Sequence, residues 1–210
     1  MSGLFITLEG PDGSGKTTCA NRVCEKLQQQ GYEVLHTREP GGIEISEKIR
    51  SLILDPQNTM MDAKTEALLY AASRRQHLVE KVFPALAEGK IVICERFLDS
   101  SLAYQGYGRQ LGFDDVLAIN LFAIDNTYPD LTIYLDIDEQ AGLDRLKDRS
   151  FKDRLDQESL AFHQRVAQGY QEVLKRFASR IRVIDASKDR ETVADESLSI
   201  ILDLLNNDQR

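Results

Sequence analysis

Five short runs of the chain are almost continuously apolar and rich in β-branched residues: "LFITLE" (4–9), "EVLHT" (33–37), "IVIC" (91–94), "LTIYLD" (131–136) and "IRVID" (181–185). Runs of that length and continuity describe strands buried on both faces, as in parallel sheets. Between them the pattern changes to a helical period. Ala20, Val23, Cys24 and Leu27 share one face of a first helix that Gly31 closes. Residues 44–54, 63–88, 114–124, 138–147 and 157–177 fit further helices. Residues 192–206 fit a last one, with Val193, Leu198, Ile201 and Leu205 on one face. Alternating strand and helix predict a three-layer α/β/α fold, a five-stranded parallel sheet wrapped by helices. No internal repeat, low-complexity tract or linker divides the chain, so residues 1–210 are expected to form one domain with a short lid.

Composition narrows the function. With 210 residues, 42% of them hydrophobic, the chain is long enough to bury a full core. Its net charge of −8 argues against nucleic acid as a partner, because phosphate backbones draw basic surfaces. Any anionic ligand would have to be gripped by basic groups gathered locally against the global field. Cys19, Cys24 and Cys94 are odd in number and form no CxxC pair, so neither a disulfide framework nor a zinc site is expected. Small buried hydrophobes in a reducing cytoplasm fit them. There is no basic leader and no run approaching 18 apolar residues, which points to a soluble cytoplasmic protein without a membrane partner.

The chemistry starts at "GPDGSGKT" (10–17), which fits G-x-x-x-x-G-K-[ST] between a predicted strand and a predicted helix. Gly10, Pro11, Asp12, Gly13, Ser14 and Gly15 can turn backbone N–H groups inward as a nest for phosphate oxygens. The following helix, entered through Lys16, Thr17 and Thr18, adds its positive end. Lys16 can reach the β- and γ-phosphates, and the Thr17 hydroxyl can meet Mg²⁺. The expected class is a P-loop NTPase fold binding ATP. No asparagine is followed by lysine, so the guanine motif of GTPase switches is missing.

A second anion site is expected where further strands end, since ligands of parallel α/β sheets bind at the carboxyl ends of strands. "TREPGG" (37–42) and "ERFLDSSLAYQG" (95–106) both lie there. Arg38 and Arg96 suit bidentate grip of phosphate, and Glu39 and Glu95 adjoin them. An ion pair capping a strand would explain Glu95 and Arg96 on their own. In "LLYAASRRQHL" (68–78), Tyr70 and Arg74 stand four apart on one helical face. They could clamp a base, the ring stacking and the guanidinium donating to a carbonyl. The same spacing describes a tyrosine at a helix edge beside a solvated arginine.

Taken in order, "FITLEGPDGSGKTT", "TREPGG", "LLYAASRRQHL", "ERFLDSSLAYQG" and "DRLDQES" resemble the bacterial thymidylate kinases, from residue 5 to beyond 160. The resemblance implies phosphorylation of dTMP to dTDP with ATP, for dTTP synthesis. It places Arg38, Arg50 and Arg96 around the acceptor phosphate and Asp12 at the deoxyribose 3′-hydroxyl. Tyr70 would stack on thymine, Arg74 would bond a thymine carbonyl, and Ser101 and Gln105 would read the polar edge. Tyr104 would stand where a ribose 2′-hydroxyl would go, and Glu39 belongs to the same acceptor group. It also implies a homodimer. One departure stands out: Glu95-Arg96-Phe97 replaces the family's usual Asp-Arg-Tyr. Glu95 keeps the negative charge with one more methylene, and is expected with Thr17 on the metal side, directly or through water. Asp136 is the competing Walker B mimic. The Glu-Arg pair is also similar to deoxynucleoside kinases, whose acceptor is neutral. A P-loop ATP sensor without transfer is the third reading.

"RLKDRSFKDR" (145–154) holds five basic and two acidic residues, a local charge of +3 in an acidic chain. A solvated surface would explain it. Phosphoryl transfer, however, needs charge brought onto the γ-phosphate, and the loop's variable positions hold no arginine. The segment resembles the short lid of thymidylate kinases that keep their catalytic arginine outside the loop. Arg149 is the first candidate, with Arg145 and Arg154 beside it, and Lys16, Arg96 and Glu95 complete the expected catalytic set. "DASKD" (185–189) is a weaker donor-side candidate or simply a helix cap. His36, His77 and His163 show no ligand spacing and receive no role.

Overall fold

The computed structural model describes residues 3–146 and 153–208. Its strands β1 (Leu4–Glu9), β2 (Val34–Arg38), β3 (Ile91–Glu95), β4 (Leu131–Asp136) and β5 (Ile181–Asp185) pair in parallel in the order β2-β3-β1-β4-β5. The apolar runs put β1, β3 and β4 at the centre. Every residue of β1 and β3 is buried, as continuous apolar strands require. Alternation along each strand then feeds two cores. Phe5, Val92, Cys94 and Tyr134 face one layer, and Ile6, Leu8, Ile93, Ile133 and Leu135 face the other.

The second core is closed by α1 (Lys16–Gln29), through Cys19, Ala20, Val23, Cys24 and Leu27, and by α9 (Arg190–Asp208), through Val193 and Ile201. The first core is closed by α3 (Ala63–His77), α6 (Phe113–Ile124) and α8 (Leu160–Arg176), with α2 (Glu44–Leu54) packed on α3. Between β4 and the lid sequence runs α7 (Glu139–Leu146). The three cysteines are free and buried, as expected. Asp189 caps α9 by accepting the Glu191 and Thr192 N–H groups, each at 3.0 Å.

The continuous helix expected over 63–88 is instead broken in three. After α3 comes a π-helical segment (Leu78–Val82), then α4 (Phe83–Ala87). Pro84 has no N–H for the ladder, and the chain changes its hydrogen-bond register just ahead of it. A second difference lies after β3, where α5 (Leu98–Ser101) runs into another π-helical segment (Leu102–Gly108). The apolar pattern alone assigns no element to this stretch. Its residues Leu98, Leu102 and Ala103 are fully buried, so tertiary packing against α8 selects the helix. That packing is close: a Cβ on Gly169 of α8 would lie 2.7 Å from Ala103 Cα.

Candidate active site

β1 ends at Glu9, and the chain turns through Gly10, Gly13 and Gly15 at φ 140°, 79° and 91° before α1 starts at Lys16. Side chains avoid those angles, so glycine permits the turn. The loop opens into a cavity of about 1160 Å³. Asp12 to Thr18 line one side of it. Arg38, Glu39, Arg50, Tyr70, Arg74, Glu95, Arg96, Ser101, Tyr104 and Gln105, all expected from the sequence, are among the residues that line the other side. Arg145 and the loop residues Lys188 and Asp189 close the donor end.

Lys16 donates to Gly10 O (3.0 Å), Pro11 O (2.8 Å) and Ser14 Oγ (3.3 Å). Burial, then the charge of Arg96, pushes its ammonium down to about 7, against the pull of Asp12, Glu9 and Glu95. Thr17 Oγ1 donates to Glu95 Oε2 at 2.5 Å, and His36 Nε2 meets Glu95 Oε1 at 2.9 Å. Burial raises the Glu95 carboxyl, but those two hydrogen bonds, together with the electrostatic pull of His36 and Lys16, hold it below its usual range. His36 therefore has a place in the site that its sequence spacing did not signal.

Arg96 sits at φ 63°, an uncommon angle for a side-chain-bearing residue. That turn aims its guanidinium at the loop. Nη1 donates to Gly10 O (3.2 Å), Ser100 Oγ (3.0 Å) and the Tyr170 hydroxyl (3.2 Å), and Nη2 pairs with Asp12 Oδ1. Tyr104 donates its hydroxyl to Asp12 Oδ2 at 2.8 Å. Burial pushes the Asp12 carboxyl up, yet Arg96 and Lys16 prevail and it lies well below its usual value. Glu9 anchors this corner, accepting the N–H groups of Phe97 (2.7 Å) and Ser100 (3.2 Å) and the Ser100 hydroxyl (2.6 Å). It thus ties the end of β1 to the start of α5.

Arg38 and Arg50 face the same cavity from β2 and α2. Arg38 Nη2 pairs with Glu47 Oε1 at 2.8 Å, and Arg50 Nη1 donates to Pro40 O at 3.1 Å. Burial and the neighbouring Arg38 charge lower the Arg50 guanidinium, the signature of cations crowded together. Deeper in, Arg74 Nε donates to Glu39 Oε2 (2.7 Å), Nη1 to Ser101 Oγ (3.1 Å) and to Asn120 Oδ1, and Nη2 to Phe97 O (2.9 Å). Its guanidinium lies 5.0 Å from the centre of the Phe97 ring, a contact that needs no hydroxyl there. His77, one turn along α3, meets Glu39 Oε1 at 2.9 Å and Thr37 Oγ1 at 2.7 Å.

Glu39, though buried, also lines the cavity, and its two oxygens meet Arg74 and His77, so it supports Arg74 there. One expectation lands differently. Arg154 is buried on Glu66 Oε2 (2.5 Å) and Ile53 O (2.8 Å) and is absent from the cavity lining, because the buried carboxylate in α3 draws it in along with Arg109. Arg145 does reach the loop, donating to Gly13 O (3.3 Å) and Ala186 O (3.2 Å). Arg149 lies outside the described residues. Sequence reasoning missed Glu66, His77 and Tyr170. The first two share the helical face of Tyr70 and Arg74, which was the available signal; nothing local marks Tyr170.

A phosphate loop at the head of a parallel sheet, facing a second group of arginines across one cavity, defines a P-loop kinase of a phosphorylated acceptor. A family model described as thymidylate kinase matches residues 8–197. The chain is 58% identical over 211 residues to the thymidylate kinase of Bacillus licheniformis, covering 100% of both chains. It is 55% identical over 196 residues to that of Clostridium novyi, covering 92% of this chain and 96% of the relative. The crystal structure of thymidylate kinase from Ehrlichia chaffeensis superposes with a TM-score of 0.78 at 33% identity, covering 96% of this chain and 99% of that one. The chain belongs to the thymidylate kinase family, and its activity is the phosphorylation of dTMP to dTDP. The deoxynucleoside kinase and sensor readings fall away with that.

Proposed function

We propose that the γ-phosphoryl group of ATP passes in line to the phosphate of dTMP inside the cavity just described. The observation that carries this is the meeting of the phosphate loop with Arg38, Arg50 and Arg96 around one space. Residues 10–18 cradle the donor phosphates, and the three arginines hold the acceptor phosphate. Tyr70 stacks on thymine, Arg74, Ser101 and Gln105 read its edge, and Asp12 and Tyr104 flank the deoxyribose. The acceptor oxygen is already anionic, so no strong base and no covalent intermediate are required; positioning and charge neutralisation carry the rate. Arg145 stands beside the loop, and Arg149 remains our candidate for the lid arginine that meets the transferring group.

Thr17 and Glu95 offer hard oxygen donors at the loop, and the hydrogen bonds to Glu95 keep it ionised, so the donor set fits Mg²⁺. Bound there, the ion would neutralise phosphate charge. The remaining roles belong to the side chains named above.

A coupled assay of ADP release with dTMP, dUMP, dCMP, AMP and thymidine as acceptors tests the assignment. dTMP should be the strongly preferred acceptor. Turnover with thymidine in place of dTMP would leave the arginines without a phosphate to hold and would overturn it.

The homodimer is also a proposal. It is supported by exposed apolar side chains on the packed helices α3 and α6, Leu68 at 55% and Phe122 at 92% exposure. No helix among the described residues is long and apolar enough to cross a membrane.

A further inference from the structure

We propose that Glu66 is a positioning residue for base recognition, turning the Gln105 side-chain amide so that its carbonyl oxygen meets the base and thymine is chosen over cytosine. This rests on the acceptor-site assignment above.

Glu66 lies on α3 one turn before Tyr70 and is fully buried. It accepts from Gln105 Nε2 (2.8 Å), Arg109 Nε (3.1 Å) and Arg154 Nη2 (2.5 Å). Burial alone would raise its carboxyl. The bonds from Arg109, Gln105 and Arg154, with the charge of Arg109, hold it below the ordinary value. The group is therefore an ionised carboxylate with no proton to give.

A side-chain amide is nearly symmetric in shape, and either end could face a neutral neighbour. An acceptor-only neighbour removes that freedom. With the NH₂ end committed to Glu66, Oε1 is the end available to the cavity that Gln105 lines. Thymine carries a proton on N3 and a carbonyl at C4, whereas cytosine carries a lone pair on N3 and an amino group at C4. A guanidinium beside an amide carbonyl, Arg74 with Gln105, complements the first pattern and opposes the second at both positions. The same carboxylate holds Arg154, at the end of the lid sequence, so the base-reading amide and that chain end share one anchor.

The test compares Glu66→Gln, Gln105→Leu and the double variant, taking kcat/KM for dTMP and for dCMP. Glutamine at 66 can donate as well as accept, so the Gln105 amide regains both orientations. The ratio of dTMP to dCMP efficiency should fall about tenfold or more in Glu66→Gln, because a site built to hydrogen-bond one edge loses its bias. Gln105→Leu should lower the ratio too, and the double variant should fall no further than Gln105→Leu alone. Equal loss with both acceptors, leaving the ratio unchanged in Glu66→Gln, would reduce Glu66 to a purely structural role and overturn the proposal. An unchanged ratio in Gln105→Leu would instead mean that the base lies elsewhere, which is a failure of the acceptor-site assignment. Should Glu66→Gln fail to fold, NMR of the wild-type Gln105 side-chain amide decides. Its NH₂ signals should hold their carboxylate-bonded shift when dTMP is added; a new hydrogen-bond shift on binding would mean that the NH₂ faces the base.

Discussion

Lys16 is buried beside Arg96, and burial together with that second cation pushes its ammonium down to about 7. A bound polyphosphate supplies the opposite field and should raise it again. The free enzyme is then partly deprotonated at Lys16 above about pH 7, while the nucleotide complex is protonated. ATP binding at pH 8 should take up close to one proton, and at pH 6 almost none. Calorimetry in buffers of different ionisation enthalpy reads that uptake directly, and equal uptake at both pH values would contradict it. His77 gives a second test at this scale. Glu39 has two partners inside the protein, and replacing His77 by Leu strands one carboxylate oxygen, at a cost of about 1–3 kcal/mol. Arg74 then loses its rigid support. KM for dTMP should rise about tenfold while KM for ATP stays nearly unchanged, as expected for a loss of positioning at one substrate.

Among the elements, the helix after β3 shows where sequence patterns stop. The strand signal before it ends at Cys94, one residue short of β3, and Ser101 and Gln105 could be picked out as candidates, but the helical state of the stretch could not. Half of its first turn is held by Glu9, 88 to 91 positions away in the chain, and its far side rests on α8. Gly169 is the contact point, so Gly169→Ala forces the new Cβ against the Ala103 backbone. Such overpacking should cost about 1–3 kcal/mol, visible as a lower Tm by calorimetry. Because the displaced helix carries Ser101, Tyr104 and Gln105, dTMP affinity should fall with it. The five strands, by contrast, were legible to within a residue at each end. Each is a short apolar run whose local signal and tertiary burial agree.

At the scale of the molecule, the acidic chain gathers a group of cations around the cavity at the carboxyl ends of its strands. Lys16, Arg38, Arg50, Arg74, Arg96 and Arg145 reach one cavity from six different segments. The opposite kind of surface, apolar and exposed, lies on α3 and α6. If that face pairs two copies, Phe122→Asp should shift the protein from dimer to monomer in light scattering, with its helical content retained. A wild-type monomer at micromolar concentration would rule the dimer out.

The sequence by itself determined the alternation of strand and helix, the phosphate loop, and the charged pairs Arg38-Glu39 and Glu95-Arg96 that line the cavity. These follow from local chemistry: period, turn residues, and a charged group placed just past an apolar run. Arg50, Ser101, Tyr104 and Gln105 were legible only through the resemblance of whole motifs to a family. Only the tertiary structure decided which partners those groups hold. It put Arg154 on Glu66 and outside the cavity lining, made Glu39 a support for Arg74, and gave His36 and His77 their carboxylates. Such pairings depend on which charges remain uncovered once the helices have packed, and distance along the chain does not encode that.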